Sequence, residues 1–311
     1  MLDRSKTVFV AGARGLVGGA LVRKLRTDGF SKVLGPSKAE LDLCDATAVD
    51  AYFATHKPGY VLMAAGKVGG IHANSTYPAD FVAINLAIAL NTVQSAHRHG
   101  VEKFLYLAST CIYPRLAPQP MREADIWTGP LEPTNQPYAV AKLAGIELVT
   151  GFRRQFGFSG ICAMPTNLYG PGDNYDPMNS HVPAALIRRF HEAKLTNASE
   201  VVVWGTGAPK REFMHVDDLA DACLLLMETY DDPQIINIGS GIEVTIADFA
   251  AAVKDATGYG GALRFDTTKP DGAPRKLVDS SRLRSLGWTS KISLDDGLKS
   301  AYAAFLRDVA A

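Results

Sequence analysis

The sequence predicts an α/β protein: a doubly wound, Rossmann-like parallel sheet with a second, smaller substrate-binding α/β lobe. Three observations predict it. Short apolar runs alternate with helix-length segments through the first half, a glycine-rich turn follows the first run, and the second half breaks into short patterns between proline–glycine clusters.

In chain order, the runs are Val8 to Ala11, Val33-Leu34, Val61 to Ala64, Phe104 to Leu107 and Ile161 to Met164. Each has little polar interruption, which suits a parallel strand buried on both faces. Leu16 to Leu25 and Phe81 to Ala96 have helical length and recurrence. From Thr166 onward, Pro171-Gly172-Asp173 and Lys269-Pro270-Asp271-Gly272-Ala273-Pro274 mark loops of the second lobe. A chain of 311 residues exceeds what one core usually organises. The expected division is a cofactor domain of residues 1–165 with 211–242, and a substrate lobe of residues 166–210 with 243–311.

Lys plus Arg balances Asp plus Glu at 32 each, so no overall field draws the chain to nucleic acid or to a membrane. An anionic ligand must therefore be met by a local site. Cys44, Cys111, Cys162 and Cys223 are scattered without a CxxC pair, which fits a reducing, cytoplasmic compartment rather than a disulfide scaffold. The apolar stretch Phe81 to Val93 is interrupted by Asn85 and Asn91 and is shorter than the roughly 20 residues that span a bilayer, so no membrane segment is expected. Met1 to Lys6 passes directly into the first strand, and the mature chain is expected to begin there. No metal site is expected.

Gly12, Ala13, Arg14, Gly15, Leu16, Val17 and Gly18 form a GxxGxxG turn between the first strand and the first helix. Glycines there allow a tight turn, let backbone amides approach a pyrophosphate, and seat the helix against the sheet. A bare strand-to-helix turn is the alternative, and the flanking strand and helix argue against it. Loops specific for NAD usually carry an acidic residue about 20 positions further on. Leu34 to Lys38 has none, whereas Arg14 and Lys38 could meet a 2′-phosphate, so NADP(H) is the expected cofactor. The competing reading makes these two residues solvated surface cations.

Tyr138 and Lys142 lie four apart at the start of a helical pattern and so share a face. A nearby ammonium favours phenolate, which would bring the tyrosine towards the working range for proton transfer. Ser109 follows the fourth strand, at the carboxyl edge where open α/β sheets bind ligands. A YxxxK pair alone is often an ordinary helix pair. With the glycine turn and the serine, the set resembles the extended short-chain dehydrogenase/reductase superfamily.

Within that superfamily, dehydratases usually place an acidic pair just after the serine, where this chain has Thr110-Cys111. Further motifs are Lys67 to Ile71, Glu132 to Tyr138, Pro165 to Pro171, Asn179 to Val182, Val202 to Gly205, Arg211 to Asp218 and Lys269 to Gly272. Together they resemble the GDP-L-fucose synthase family over almost the whole chain. The resemblance implies a GDP-linked 4-keto-6-deoxy sugar as substrate, with inversion at C3 and C5 followed by reduction at C4. Cys111 and His181 would be the base and acid of inversion, and Tyr138 the proton donor of reduction, with Lys142 orienting the ribose and Ser109 holding the oxygen. Leu107, Pro165, Thr166, Asn167, Leu168 and His181 would border the cofactor. Arg189, Trp204, Arg211 and Asp271 would contact the nucleotide sugar. An unperturbed thiol titrates at about 8.5, so a cysteine base works through a lowered value or a minority thiolate.

A homodimer is the expected assembly. Two other readings remain: a nucleotide-sugar 4-epimerase or 4,6-dehydratase that recycles its hydride, and a catalytically inactive NADP-binding sensor. Thr110-Cys111 and His181 argue against the first, and the intact Ser109, Tyr138 and Lys142 against the second.

Overall fold

The computed structural model describes residues 1–177, 180–269 and 271–310. Asn179 and Pro270, each inside a motif named above, and Ala311 lie outside the described residues. The first half alternates as expected: β1 (Val8–Ala11), α1 (Leu16–Thr27), β2 (Val33–Leu34), α2 (Ala46–His56), β3 (Tyr60–Met63), α3 (Ile71–Thr76), α4 (Pro78–Arg98), β4 (Lys103–Leu107), α5 (Gln136–Phe156) and β5 (Gly160–Pro165). The rest of the chain gives β6 (Asn167–Tyr169), α6 (Val182–Leu195), β7 (Glu200–Trp204), β8 (Lys210–His215), α7 (Val216–Thr229), β9 (Ile236–Ile238), β10 (Glu243–Thr245), α8 (Ile246–Thr257), β11 (Ala262–Asp266), β12 (Arg275–Lys276), α9 (Ser281–Ser285) and α10 (Leu294–Ala310).

The large sheet is parallel, in the order β2-β1-β3-β4-β5-β9. Successive side chains of a strand point to opposite faces. Phe9, Val61, Phe104 and Cys162 accordingly join the core beneath α2, α4 and α5, while Val8, Val10, Leu62, Leu105 and Ile161 join the core shared with α1 and α7. Helix α5 sits tightly on β4: a Cβ at Gly145 would lie 2.1 Å from the Tyr106 hydroxyl. Strand order reverses between β1 and β3, so the crevice at their carboxyl ends is the natural ligand site of such a sheet.

The smaller sheet joins β10, β8 and β12, with β6 also on β8, while β7 pairs with β11. The expected boundary at residue 211 cuts into β8, whose pairing ties it to the smaller sheet. Conversely, α9, expected in the lobe, packs on β9, and Leu283 and Trp288 enter the core around α1 and α7. Strand pairing between distant segments decides both points, and no local pattern encodes it.

Asn237 on β9 joins the chain's late segment to the loop that follows β4. Fully buried, it donates from Nδ2 to the carbonyls of Met121 (3.0 Å) and Asp279 (3.2 Å) and accepts from the Tyr113 hydroxyl (2.6 Å). Replacing it by leucine keeps the branched shape but adds bulk, and leaves three polar groups without their partner, each costing about 1–3 kcal/mol. We predict that Asn237→Leu lowers the urea-unfolding free energy by about 3–5 kcal/mol. A loss below about 1 kcal/mol would show that the network relaxes freely.

Candidate active site

Gly12 follows β1 at φ +78°, and a Cβ there would meet the Ala65 Cα at 2.9 Å. At Gly18 a Cβ would fall 2.0 Å from the Gly12 carbonyl oxygen, so only glycine lets the first turn of α1 lie against the loop. Gly15 caps α1 without any side-chain hydrogen bond. The leading amides of α1 thus lack a side-chain acceptor and sit at the positive end of the helix dipole, a cradle that fits a dinucleotide pyrophosphate. Gly172 approaches from the other lobe, where a Cβ would come 3.8 Å from the Leu16 Cα.

Arg14 and Lys38 face carboxylates: Arg14 lies 3.5 Å from Glu40, and Lys38 lies 3.8 Å from Asp42. Glu40 is held by the Ser37 amide and hydroxyl, both at 2.7 Å. These pairs are largely exposed and worth under about 1 kcal/mol, so either cation is free to exchange its carboxylate for a ligand phosphate.

Ser109 leaves β4 in an extended conformation and caps a single 3-10 turn, Thr110–Ile112, with its Oγ accepting from the Cys111 amide at 3.3 Å. Opposite, α5 begins after Asn135, with Pro137 in its first turn. Lys142 is buried, and its Nζ donates to the Leu107 carbonyl at 2.9 Å, pinning α5 to the carboxyl end of β4. Burial lowers its ammonium to about 8.

Tyr138 behaves differently from the sequence expectation. Its phenol is pushed well above the ordinary range, chiefly by burial and then by the neighbouring Cys111, with the Ser109 hydrogen bond pulling the other way. The Lys142 Nζ lies 5.9 Å from the tyrosine ring centre and is engaged by Leu107. Desolvation therefore outweighs the ammonium, and Tyr138 stands as a neutral phenol, which is a proton donor.

Ser109, Cys111 and Tyr138 are brought together directly. The half-buried Cys111 accepts at Sγ from Asn135 Nδ2 at 3.3 Å. His181 comes from the other lobe as the residue capping α6. Its surface is open to water on one side, yet the surrounding walls desolvate it enough to lower its imidazole. The loop before α3 approaches it, with a Cβ at Gly70 falling 3.2 Å from the Ser180 carbonyl.

Pro165 ends β5, and Thr166 and Asn167 turn into β6, both donating to the Glu212 carbonyl at 3.2 and 2.9 Å. Leu168 is half-buried beside them. Arg211 donates to the carbonyls of Ala273 (2.6 Å) and Lys210 (2.8 Å). Asp271 accepts from the Thr206 amide (2.9 Å) and hydroxyl (2.7 Å). Trp204 leaves 67% of its surface exposed with Lys269 Nζ 5.6 Å from its ring centre, and Arg189 holds the Val202 carbonyl at 3.0 Å. Arg211 and Asp271 thus frame one end of the smaller sheet, whereas Trp204 and Arg189 meet around β7.

Sequence reasoning missed three groups. The Glu212 carboxylate, buried and raised by that burial, accepts from the amides of Gly241 (2.7 Å) and Val278 (3.2 Å). Burial pushes Asp173, in the loop against α1, up to about 7. Asn135 falls inside the Glu132 to Tyr138 motif, but nothing in that motif singles out its side chain.

A profile of the NAD dependent epimerase/dehydratase family matches residues 8–239. The chain is 57% identical to GDP-L-fucose synthase 1 of Arabidopsis thaliana over 309 residues, covering 99% of this chain and 96% of that protein. It is 49% identical to GDP-L-fucose synthase of Escherichia coli strain K12 over 310 residues, covering 97% of each. Among solved structures, a GDP-L-fucose synthetase from Naegleria fowleri bound to NADP superposes with a TM-score of 0.92 at 26% identity, covering 100% of this chain and 97% of that one.

Lys142 also yields a stability prediction. An unfolded lysine titrates at 10.5, so below about 8 the folded state bears the whole cost of an ammonium that the unfolded chain would hold in water. That shift corresponds to on the order of 3 kcal/mol. Lys142→Met removes it and leaves the Leu107 carbonyl unpaired at about 1–2 kcal/mol, for a net gain of about 1–2 kcal/mol at pH 7. The expected result is an inactive protein that melts a few degrees higher at pH 7, with the gain shrinking as pH rises from 8 towards 10.5. A gain absent at pH 7, or constant across that range, would contradict the buried ammonium.

Proposed function

The chain belongs to the NAD dependent epimerase/dehydratase family, and from that membership and the site we propose that it converts GDP-4-keto-6-deoxy-D-mannose to GDP-L-fucose with NADP(H). The observation that carries this reading is the thiol of Cys111, set beside Tyr138 and within one turn of Ser109. A recycling dehydratase usually has an acidic pair there.

The substrate's C4 ketone acidifies the hydrogens on C3 and C5. Cys111 and His181, reaching the sugar from different lobes, exchange those protons and invert both centres. Lowering the imidazole makes His181 a readier proton donor once charged, at the expense of the fraction charged at neutral pH. Hydride for C4 is the chemistry NADPH supplies when bound at the glycine cradle. Ser109 holds the C4 oxygen and Tyr138, kept neutral by burial, delivers the proton to it. Lys142 orients the ribose. Arg189, Trp204, Arg211 and Asp271 hold the nucleotide sugar, with arginine suited to paired bonds with a diphosphate and tryptophan to a ring face.

A homodimer and a cytoplasmic location complete the proposal. No helix among the described residues is long and apolar enough to cross a membrane, and all four cysteines are free. Helices α4 and α5 pack together and leave Leu90 and Val140 exposed, apolar surface that a second copy would cover. Sedimentation equilibrium should give twice the chain mass; a monomer at micromolar concentration refutes this assembly.

The decisive assay mixes protein, GDP-4-keto-6-deoxymannose and NADPH in deuterated water. One NADPH should be consumed per GDP-L-fucose formed, whereas a 4-epimerase or 4,6-dehydratase shows no net consumption. Tyr138→Phe should cut NADPH oxidation by about a hundredfold or more and still permit deuterium exchange at C3 and C5. In Cys111→Ser the pattern should reverse: exchange stops, and slow reduction yields a GDP-6-deoxyhexose with C3 and C5 uninverted. Undiminished exchange in Cys111→Ser would remove the thiol from the mechanism.

A further inference from the structure

We propose that Asn135 is a positioning residue for inversion, its side-chain amide holding Cys111 as the thiolate that abstracts the sugar proton. The proposal rests on the function proposed above and adds a residue to its base. Asparagine is among the best helix-capping residues, and Asn135 stands at the cap of α5, yet its side chain makes no capping bond. Its Nδ2 instead donates to Cys111 Sγ at 3.3 Å, across 24 residues of sequence.

An N–H donor aimed at sulfur favours the form with more negative charge, and bonds to a charged partner are the stronger ones. The amino end of α5 packs on the 3-10 turn that carries Cys111, adding the positive end of a helix dipole on the same side. Asn135 Oδ1 is buried with no partner among the described residues. A buried carbonyl oxygen left open is costly in a finished structure, and it offers an acceptor to a sugar hydroxyl that enters the cleft. One amide thereby addresses the base through nitrogen and leaves its oxygen for the substrate.

The arrangement also links the two stages. Cys111 beside Tyr138 is one of the influences that raise its phenol. Holding the base charged therefore holds the later proton donor neutral, so inversion and reduction draw on opposite protonation states of adjacent groups.

Asn135→Ser and Asn135→Asp test this. Both residues cap helices well, so α5 retains its start. Cys44 is exposed and would react, so the work is done in Cys44→Ser; Cys162 and Cys223 are buried. Iodoacetamide alkylation of Cys111, located by mass spectrometry, should slow about tenfold at pH 7 in Asn135→Ser and further in Asn135→Asp, and recover near the parent rate at pH 10. Deuterium incorporated per NADPH oxidised should fall in the same order, with uninverted product accumulating. Alkylation equal to the parent at pH 7, or slowed equally at pH 7 and pH 10, overturns the proposal. The alkylation arm needs no sugar, so it judges Asn135 even if the parent protein fails to exchange C3 and C5, a result that would instead sink the proposed function.

Discussion

The site depends on a buried ammonium hydrogen-bonded to one backbone carbonyl. Lys142 Nζ on Leu107 fixes α5 against the end of β4, and the placement of Ser109, Cys111 and Tyr138 follows from that junction. Ser109 lies two residues beyond the carbonyl, Cys111 two beyond the serine, and Tyr138 one helical turn before the lysine. A hydrophobic side chain would pack there more cheaply, since a buried ammonium opposes folding by on the order of 3 kcal/mol. The parallel sheet around it, with strands buried on both faces, supplies the stability that offsets this cost.

Burial at that junction also sets the chemistry of the neighbours. The same exclusion of water that lowers Lys142 raises Tyr138, so the lysine sheds its proton more easily and the phenol holds its proton more tightly. An exposed YxxxK pair would tilt the other way, with the ammonium pulling the phenol down. Cys111 reinforces the tilt as a potential negative charge beside Tyr138. The proposed division of labour, a phenol as acid and a thiol as base, rests on the enclosure as much as on the residue types.

The second lobe is tied to the first through a few fully buried polar groups. Glu212 receives backbone amides from two distant loops while its carbonyl anchors the Thr166-Asn167 turn. Asn237 joins the loop behind Ser109 and Cys111 to the late segment around Asp279. Both fasten segments far apart in the chain.

The glycine turn, the strand after it, and the Ser109, Tyr138 and Lys142 set were legible because each is a local requirement written in residue type and spacing. Gly12 and Gly18 are needed where a Cβ would strike backbone, and Tyr138 and Lys142 share a face because helices repeat every 3.6 residues. Sequence by itself thus determined the fold class and the glycine turn, and it named the residues on which the proposed chemistry rests. Tertiary structure alone decided that β8 belongs to the smaller sheet, that β9 is the sixth strand, that Tyr138 is raised rather than lowered, and that Asn135 turns from its helix to Cys111. Each of these depends on desolvation or on a contact between segments remote in sequence, and neither leaves a periodic trace in the chain.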